Sequence, residues 1–236
     1  MTTGSNIALG GYQEEQNVCD DLNTPGSPLR EIIEEKRGPV IGHFKKIRGH
    51  YKTDITNGVV NIQVKKFKKK QFQQVCRHWV EYIIEHIPNL KNVQSMLNGL
   101  CCVPLLEDGT IDKSKKRIPL SSTHYTNEQL DNFLLVLNEN KVDILKFAFE
   151  GHDSNYKPNF HAIAEYHGSV RKEVKLIETQ RIIDYLKDFD FEIMKSKTVI
   201  KLGGVFSLQR KGGDAGRQTA NQLQMKVDFT RIKLKQ

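Results

Sequence analysis

Tyr51-Lys52-Thr53-Asp54-Ile55-Thr56-Asn57-Gly58-Val59-Val60-Asn61-Ile62-Gln63-Val64-Lys65 decides the fold of this chain. Asn57-Gly58 between two β-branched runs is a strong two-residue hairpin signal. With that turn at the centre, Thr56 pairs with Val59, Ile55 with Val60 and Asp54 with Asn61. Side chains alternate along a strand, and directly paired residues share a face. Asp54, Asn61, Gln63 and Lys65 therefore project to one side. Ile55, Val60, Ile62 and Val64 project to the other, which must be covered.

Outward from the hairpin, the first nine residues read as a flexible start. Gly10-Gly11-Tyr12-Gln13-Glu14-Glu15 leads into a polar helical segment. Asn23 to Pro28 is a loop, and a helix over 29–35 is ended by Gly38-Pro39. After the hairpin, Phe72, Val75, Cys76, Trp79, Tyr82, Ile83 and Ile87 recur at helical spacing, which predicts a helix over 71–87 packed on the hairpin. Residues 88–124 read as an irregular arm, with a basic patch at Lys113, Lys115, Lys116 and Arg117. Thr126-Asn127-Glu128-Gln129 is a capping box that opens a helix to about Asn138. Strands are expected over 142–149, 161–166, 199–209 and, more weakly, 222–227, with a helix over 179–189. Gly203-Gly204 inside a strand pattern suggests a bulge. The pattern predicts an α/β protein: one domain over 10–236 with a central mixed sheet flanked by helices.

The chain has 236 residues, a formal net charge of +8, 38% hydrophobic and 27% charged residues, which describes a globular protein with a preference for an anionic partner. No apolar run is long enough for a membrane span, and the N-terminus has no secretory pattern, so a cytoplasmic protein is expected. Cys19, Cys76, Cys101 and Cys102 have no zinc spacing, and no disulfide is expected. The eight histidines form no metal-ligand motif. Lys-Gly-Gly-Asp-Ala-Gly at 211–216 lacks the P-loop frame, and Ser121-Ser122 lacks a nucleophile elbow.

The positive charge is clustered. Lys65-Lys66-Phe67-Lys68-Lys69-Lys70 holds five lysines in six residues, at the end of the strand that carries the polar face. Arg210, Lys211 and Arg217 form a second cluster. A lysine run is often only a solvated face; this one adjoins an acid, an amide and an amine gathered by strand spacing. Phosphodiester hydrolysis needs a metal ion that offsets developing charge and lowers the pKa of a water. Mg²⁺ takes oxygen donors. Asp54 is the anchoring carboxylate, Gln63 offers an amide oxygen, and Lys65 can orient the water or offset phosphate charge. A neutral ligand leaves the centre short of negative charge, and Glu15 is the candidate to supply it.

An Asp followed by [Asp/Glu]-x-Lys on a hairpin resembles the PD-(D/E)XK nuclease superfamily. Here Lys52-Thr53 replaces the leading Pro and Gln63 replaces the second acid. The segments 51–55, 61–65, 72–79 and 209–224 are similar to those of the HinP type of type II restriction endonucleases, which cut GCGC. They fall in the same order, and the likeness spans roughly Gly10 to Asp228.

The resemblance implies a restriction-endonuclease-like core and Mg²⁺-dependent cleavage of double-stranded DNA. HinP-type enzymes also carry Gln at the second acid, so Gln63 fits. The implied catalytic set is Asp54, Gln63 and Lys65, with Asp54, Gln63 and Glu15 as metal ligands. Gln74 falls where that family places a glutamine that wedges into the DNA stack. The implied DNA contacts are Lys66, Lys68, Lys69, Lys70, Gln73 and Gln74, with the block at about 207–228. In that block, Arg210, Lys211, Arg217, Gln218, Asn221 and Gln222 can reach bases or phosphates, Asp214 lies among them, and Gly212-Gly213 allows close backbone approach. Residues 88–124 would be a DNA-recognition arm. The target would be a short GC-ended site such as GCGC, GCNGC or GCWGC, cut by a homodimer or by sequential monomers. Two other readings stay open at this point: a DNA-binding module without catalysis, and a repair or nicking nuclease.

Overall fold

A computed structural model describes residues 3–49, 51–68, 72–101, 106–107, 112, 120, 125–211 and 221–233; for residues 3–8 and 68 only the backbone is described. Contacts divide the chain into two compact units. One is Met1–Gln73 with Phe149–Ile183 and Lys233–Gln236, and the other is Gln74–Ala148 with Asp184–Ile232. The α/β class holds, but the expected single sheet is two five-stranded sheets.

The first unit is built from helices α1 (Thr3–Asn23) and α2 (Pro28–Arg37) and strands β1 (Lys45–Lys46), β2 (Ile55–Thr56) and β3 (Asn61–Lys68). The next strand, β4 (Gln73–His78), belongs to the second sheet. Strands β5 (Phe160–His167) and β6 (Val170–Glu178) then complete the first, in the order β1-β2-β3-β5-β6. Within this sheet the other neighbours are antiparallel and β3 and β5 are parallel, with Gln63 beside His161 and Lys65 beside Ile163. α1 begins at Thr3, so from that residue on the start expected to be loose is helical. Period-two alternation sends Ile55, Ile62, Val64, Phe160 and Ala162 to one face, where they bury with Val18, Leu22, Leu29 and Ile33 of α1 and α2. Each Val, Leu, Ile or Phe side chain among them, fully buried, contributes about 1.5–3 kcal/mol. This cover fixes which face of β3 is left for polar groups.

The hairpin register differs from the two-residue turn. Thr56 pairs with Asn61 and Ile55 with Ile62, leaving 57–60 as a four-residue loop. The reason is local hydrogen bonding by short polar side chains. Asn57 Oδ1 accepts from the N–H groups of Val59 and Val60 at 3.0 and 2.7 Å, and Thr56 Oγ1 accepts from Gly58 N and donates to Asn61 Oδ1. Gly58 has φ of 90°, which suits glycine. The register moves by two residues, an even number, so every side chain keeps its face.

In the second unit β4 is followed by α3 (Val80–His86), a 3₁₀ turn at Pro88–Val93 and α4 (Gln94–Cys101). The helix expected over 71–87 is thus a strand and a short helix, and the strand pairs with β10 (Leu223–Val227) in the second sheet. Val75 and Cys76 are adjacent and both buried, as in a strand covered on both faces. The i, i+3, i+4 spacing fits either reading until the pairing partner is known. The arm expected to be irregular from residue 88 is ordered through Cys101, and most of 102–124 lies outside the described residues.

Thr126 caps α5 (Asn127–Glu139) by the expected reciprocal pair: its Oγ1 accepts from Gln129 N and Gln129 Oε1 accepts from Thr126 N. The run expected as a strand over 142–149 is α6 (Lys141–Phe149), in which Ile144, Leu145, Phe147, Ala148 and Phe149 are buried. A short apolar run does not separate a buried strand from a buried helix. Helix α7 (Thr179–Lys187) gives residues to both units. Strands β7 (Phe191–Ile193), β8 (Val199–Leu202) and β9 (Phe206–Arg210) complete the second sheet in the order β4-β10-β9-β8-β7. Gly203 and Gly204, at φ of 56° and 67°, form the turn between β8 and β9 and are not a bulge. Among the described residues no helix is long and apolar enough to cross a membrane.

Candidate active site

β2 begins at Ile55, and the backbone bends just before it at Asp54. Its N–H donates to Ile62 O at 2.9 Å, and its carboxylate Oδ2 accepts from Val64 N at 2.7 Å. The carboxylate is therefore braced on the backbone of β3 between Gln63 and Lys65. Burial raises the Asp54 pKa, against the lowering effects of Lys65, the Val64 N–H, Lys52 and Lys46. The carboxylate has been brought out of water at an electrostatic cost that a cation would offset.

Gln63 is 5% exposed. Its Nε2 donates to Lys52 O at 2.8 Å, which fixes the amide plane. Its Oε1 is buried with no hydrogen-bond partner among the described residues. A buried amide oxygen without a donor costs free energy, and such a group in a polar pocket points to a missing ligand. The residues on either side of Lys52 are held by the segment ahead of β5: Thr53 Oγ1 donates to Tyr156 O, and Tyr51 packs on Tyr156 with ring centroids 4.1 Å apart.

Glu15 comes from α1, half-buried, with Oε2 3.3 Å from Lys46 Nζ. Its pKa is raised by burial and then by the Asp54 charge, and lowered by Lys46 and Lys65. The two acids thus sense each other, and both sense Lys65. Two carboxylates and an orphaned amide oxygen are hard oxygen donors, and they fit a divalent cation such as Mg²⁺.

His161 is a member that spacing could not reveal. It lies beside Gln63 on β5, is fully buried, and packs edge-on against Phe149 at 5.5 Å. Burial lowers its pKa well below the usual value, and Lys52 and Lys65 push it further down. The imidazole is therefore a neutral wall of the site. Only the β3–β5 register brings it there. Lys46 and Lys52 were likewise not distinguishable from other surface lysines in the sequence.

The expected DNA contacts are more scattered. Lys66 points to the face opposite Lys65, its Nζ 4.0 Å from the centre of the Tyr166 ring. Lys68 ends β3, and Lys69 and Lys70 lie outside the described residues. Gln73 and Gln74 are on β4 and not on a helix; Gln74 is exposed and its Oε1 accepts from Gln224 Nε2 on β10. Arg210, at the end of β9, is buried. Lys211 N donates to Gln222 O at 2.8 Å, and Asn221 Oδ1 and Gln222 Oε1 are buried without partners among the described residues. Gly212, Gly213, Asp214, Arg217 and Gln218 lie outside the described residues.

Comparison with solved structures places this architecture in a class. The crystal structure of restriction endonuclease MspI in complex with its cognate DNA matches with a TM-score of 0.56 over 92% of this chain and 88% of that chain, at 14% identity. The fold is that of a restriction endonuclease. No curated protein matches. The R.HinP1I restriction endonuclease family model matches residues 47–233, and the chain belongs to that family of DNA-cleaving nucleases.

Proposed function

We propose that this chain is a type II restriction endonuclease that hydrolyses both strands of duplex DNA with Mg²⁺ at a short GC-ended palindromic or pseudo-palindromic site of the GCGC, GCNGC or GCWGC class. The observation that carries the reading is the gathering of Asp54, Glu15 and Lys65 with Gln63 Oε1, which has no partner among the described residues, about the Gln63–Lys65 stretch of β3. Asp54, Gln63 and Glu15 would hold the ion. When bound, the ion supplies charge that offsets the phosphorane-like transition state and acidifies a water.

The remaining work falls to the chain. The Val64 N–H and Lys52 O hold the carboxylate and the amide at fixed orientations, so little reorganisation is needed during reaction. Lys65 orients the attacking water and offsets charge on the scissile phosphate. The attack leaves a 5′-phosphate and a 3′-hydroxyl. Neutral His161 closes the floor of the site without adding a charge that would repel the ion.

DNA would be bound by the lysine run Lys66, Lys68, Lys69 and Lys70, by Gln73 and Gln74 on β4, and by Arg210, Lys211, Gly212, Gly213, Asp214, Arg217, Gln218, Asn221 and Gln222 of the C-terminal block. The arm over 88–124 adds to recognition, and 10–236 works as one endonuclease in the cytoplasm. A two-fold symmetric site is met by a homodimer or by two monomers in sequence. The test is incubation of the purified protein with plasmid and with end-labelled duplexes in Mg²⁺, followed by sequencing of the ends. Discrete fragments cut on both strands are expected, and Asp54→Ala and Lys65→Ala abolish them. Cutting that survives Asp54→Ala overturns the site; cutting of one strand only points to a nicking nuclease; binding without cutting points to a module that only binds.

A further inference from the structure

Two lysines act on the same two acids, and only Lys65 has a role in the proposed reaction. The other is Lys46, on β1. The ladder puts Lys46 opposite Ile55, and Ile47 N donates to Asp54 O at 2.9 Å, so this lysine is registered one residue from the anchoring carboxylate. Its ammonium is held on α1. The Nζ donates to Tyr12 O at 2.8 Å, lies 5.7 Å from the centre of the Tyr12 ring, and is 3.3 Å from Glu15 Oε2. Tyr12 and Glu15 are three residues apart on the helix, one turn, so both can reach one cation. The side chains of Lys46 and Glu15 are 27% and 18% exposed, which limits how far water can screen the pair.

Two mutually repelling, desolvated carboxylates need a nearby positive charge. Lys46 supplies it on the Glu15 side. The same Oε2 is an oxygen the ion would need.

We propose that Lys46 is a built-in competitor for the divalent cation, which engages Glu15 in the ion-free protein and thereby sets how tightly the centre binds the ion. It is a positioning residue: it touches neither phosphate nor water in the reaction, and it acts through Glu15. When the ion takes Glu15, Lys46 keeps its hold on the Tyr12 carbonyl and ring, so the exchange needs no unfolding of β1. The residual positive charge still opposes the ion. The inference rests on the metal-centre reading above.

The experiment is calorimetric titration of Mn²⁺ into the whole protein without DNA, at fixed ionic strength. The proteins are the wild type, Lys46→Met, Lys46→Gln, Lys46→Arg and Asp54→Asn. Removing one positive charge a few ångströms from a doubly charged ion in a partly buried site is expected to tighten binding about five- to tenfold in Lys46→Met and Lys46→Gln. Lys46→Arg keeps the charge and stays within about twofold of wild type. Asp54→Asn loses binding. A Lys46 that merely pins α1 to β1 would lower the melting temperature when replaced but leave the Mn²⁺ affinity unchanged. Unchanged or weaker affinity in both neutral variants, alongside Asp54-dependent binding in the wild type, overturns this inference alone. If no protein binds Mn²⁺ in an Asp54-dependent way, the metal-centre reading falls and this inference with it.

Discussion

Gln63→Glu introduces the acid that the wider PD-(D/E)XK pattern carries at this position, and the surroundings of Gln63 predict an ion-free protein that is weaker for it. The amide Nε2 donates to Lys52 O at 2.8 Å, and the side chain is 5% exposed. An ionised carboxylate has no proton to donate, so the Lys52 carbonyl loses its partner and faces an oxygen. A buried polar group left unsatisfied costs about 1–3 kcal/mol. A further charge beside Asp54 adds to this, and Lys65 and Lys52 offset part of it, for a total of about 2–4 kcal/mol. At about 2–4 °C per kcal/mol for a chain of this size, the ion-free Tm at neutral pH should fall by about 5–15 °C.

The pH dependence has a definite sign. The protonated new carboxyl donates to Lys52 O again, so burial raises its folded-state pKa above the unfolded value of about 4.3. Between those values the native state holds the extra proton. Stability is therefore recovered below the unfolded pKa and lost as pH rises through the folded one. Thermal unfolding in chelator from about pH 4.5 to 8, repeated with Mg²⁺, measures both effects. Mg²⁺ should raise the Tm of the variant more than that of the wild type, because stabilisation by a ligand grows as its dissociation constant falls. An ion-free Tm equal to wild type at neutral pH, with no acid-side recovery, would refute the assignment of Nε2 to Lys52 and of Oε1 to the ion.

Asp54→Asn keeps an oxygen for the Val64 N–H and removes a charge whose pKa burial has raised. Its ion-free Tm near pH 8 should exceed wild type by about 2–4 °C, equivalent to about 1 kcal/mol, and the gap should close as pH falls through the raised pKa, since wild type gains stability on protonation. Scanning calorimetry decides it, and a lower Tm at pH 8 counts against the desolvated carboxylate. Gly203→Ala tests the β8–β9 turn: φ is 56° and an added Cβ would meet the Phe189 ring. A loss of about 2–4 kcal/mol in urea unfolding is expected, and a neutral result would mean that the turn is not formed by a left-handed glycine.

The polar face of the hairpin was legible from residue spacing alone. Parity explains why it survived a wrong register: the loop grew from two residues to four, an even shift, and Asp54, Gln63 and Lys65 stayed together. The capping box at Thr126 was legible for a similar reason, since every partner lies within four residues. The reading of 71–87 and of 142–149 failed where the deciding partner was remote. β4 is a strand because β10, some 150 positions later, pairs with it, and α6 is a helix because its apolar side chains are covered nearly all round.

The sequence by itself determined the α/β class, the polar strand face and, through its likeness to known blocks, the nuclease chemistry to expect. These depend on local period and on residue type. Tertiary structure decided the rest. It split the strands into two sheets and placed neutral His161 beside Gln63 through a parallel pairing of β3 with β5. It brought Glu15 and Lys46 to Asp54 from two further elements, and it left Gln63 Oε1 without a donor among the described residues. Charge repulsion, desolvation and an unmet hydrogen bond are properties of groups brought close in space, and no spacing along a chain can state which groups those will be.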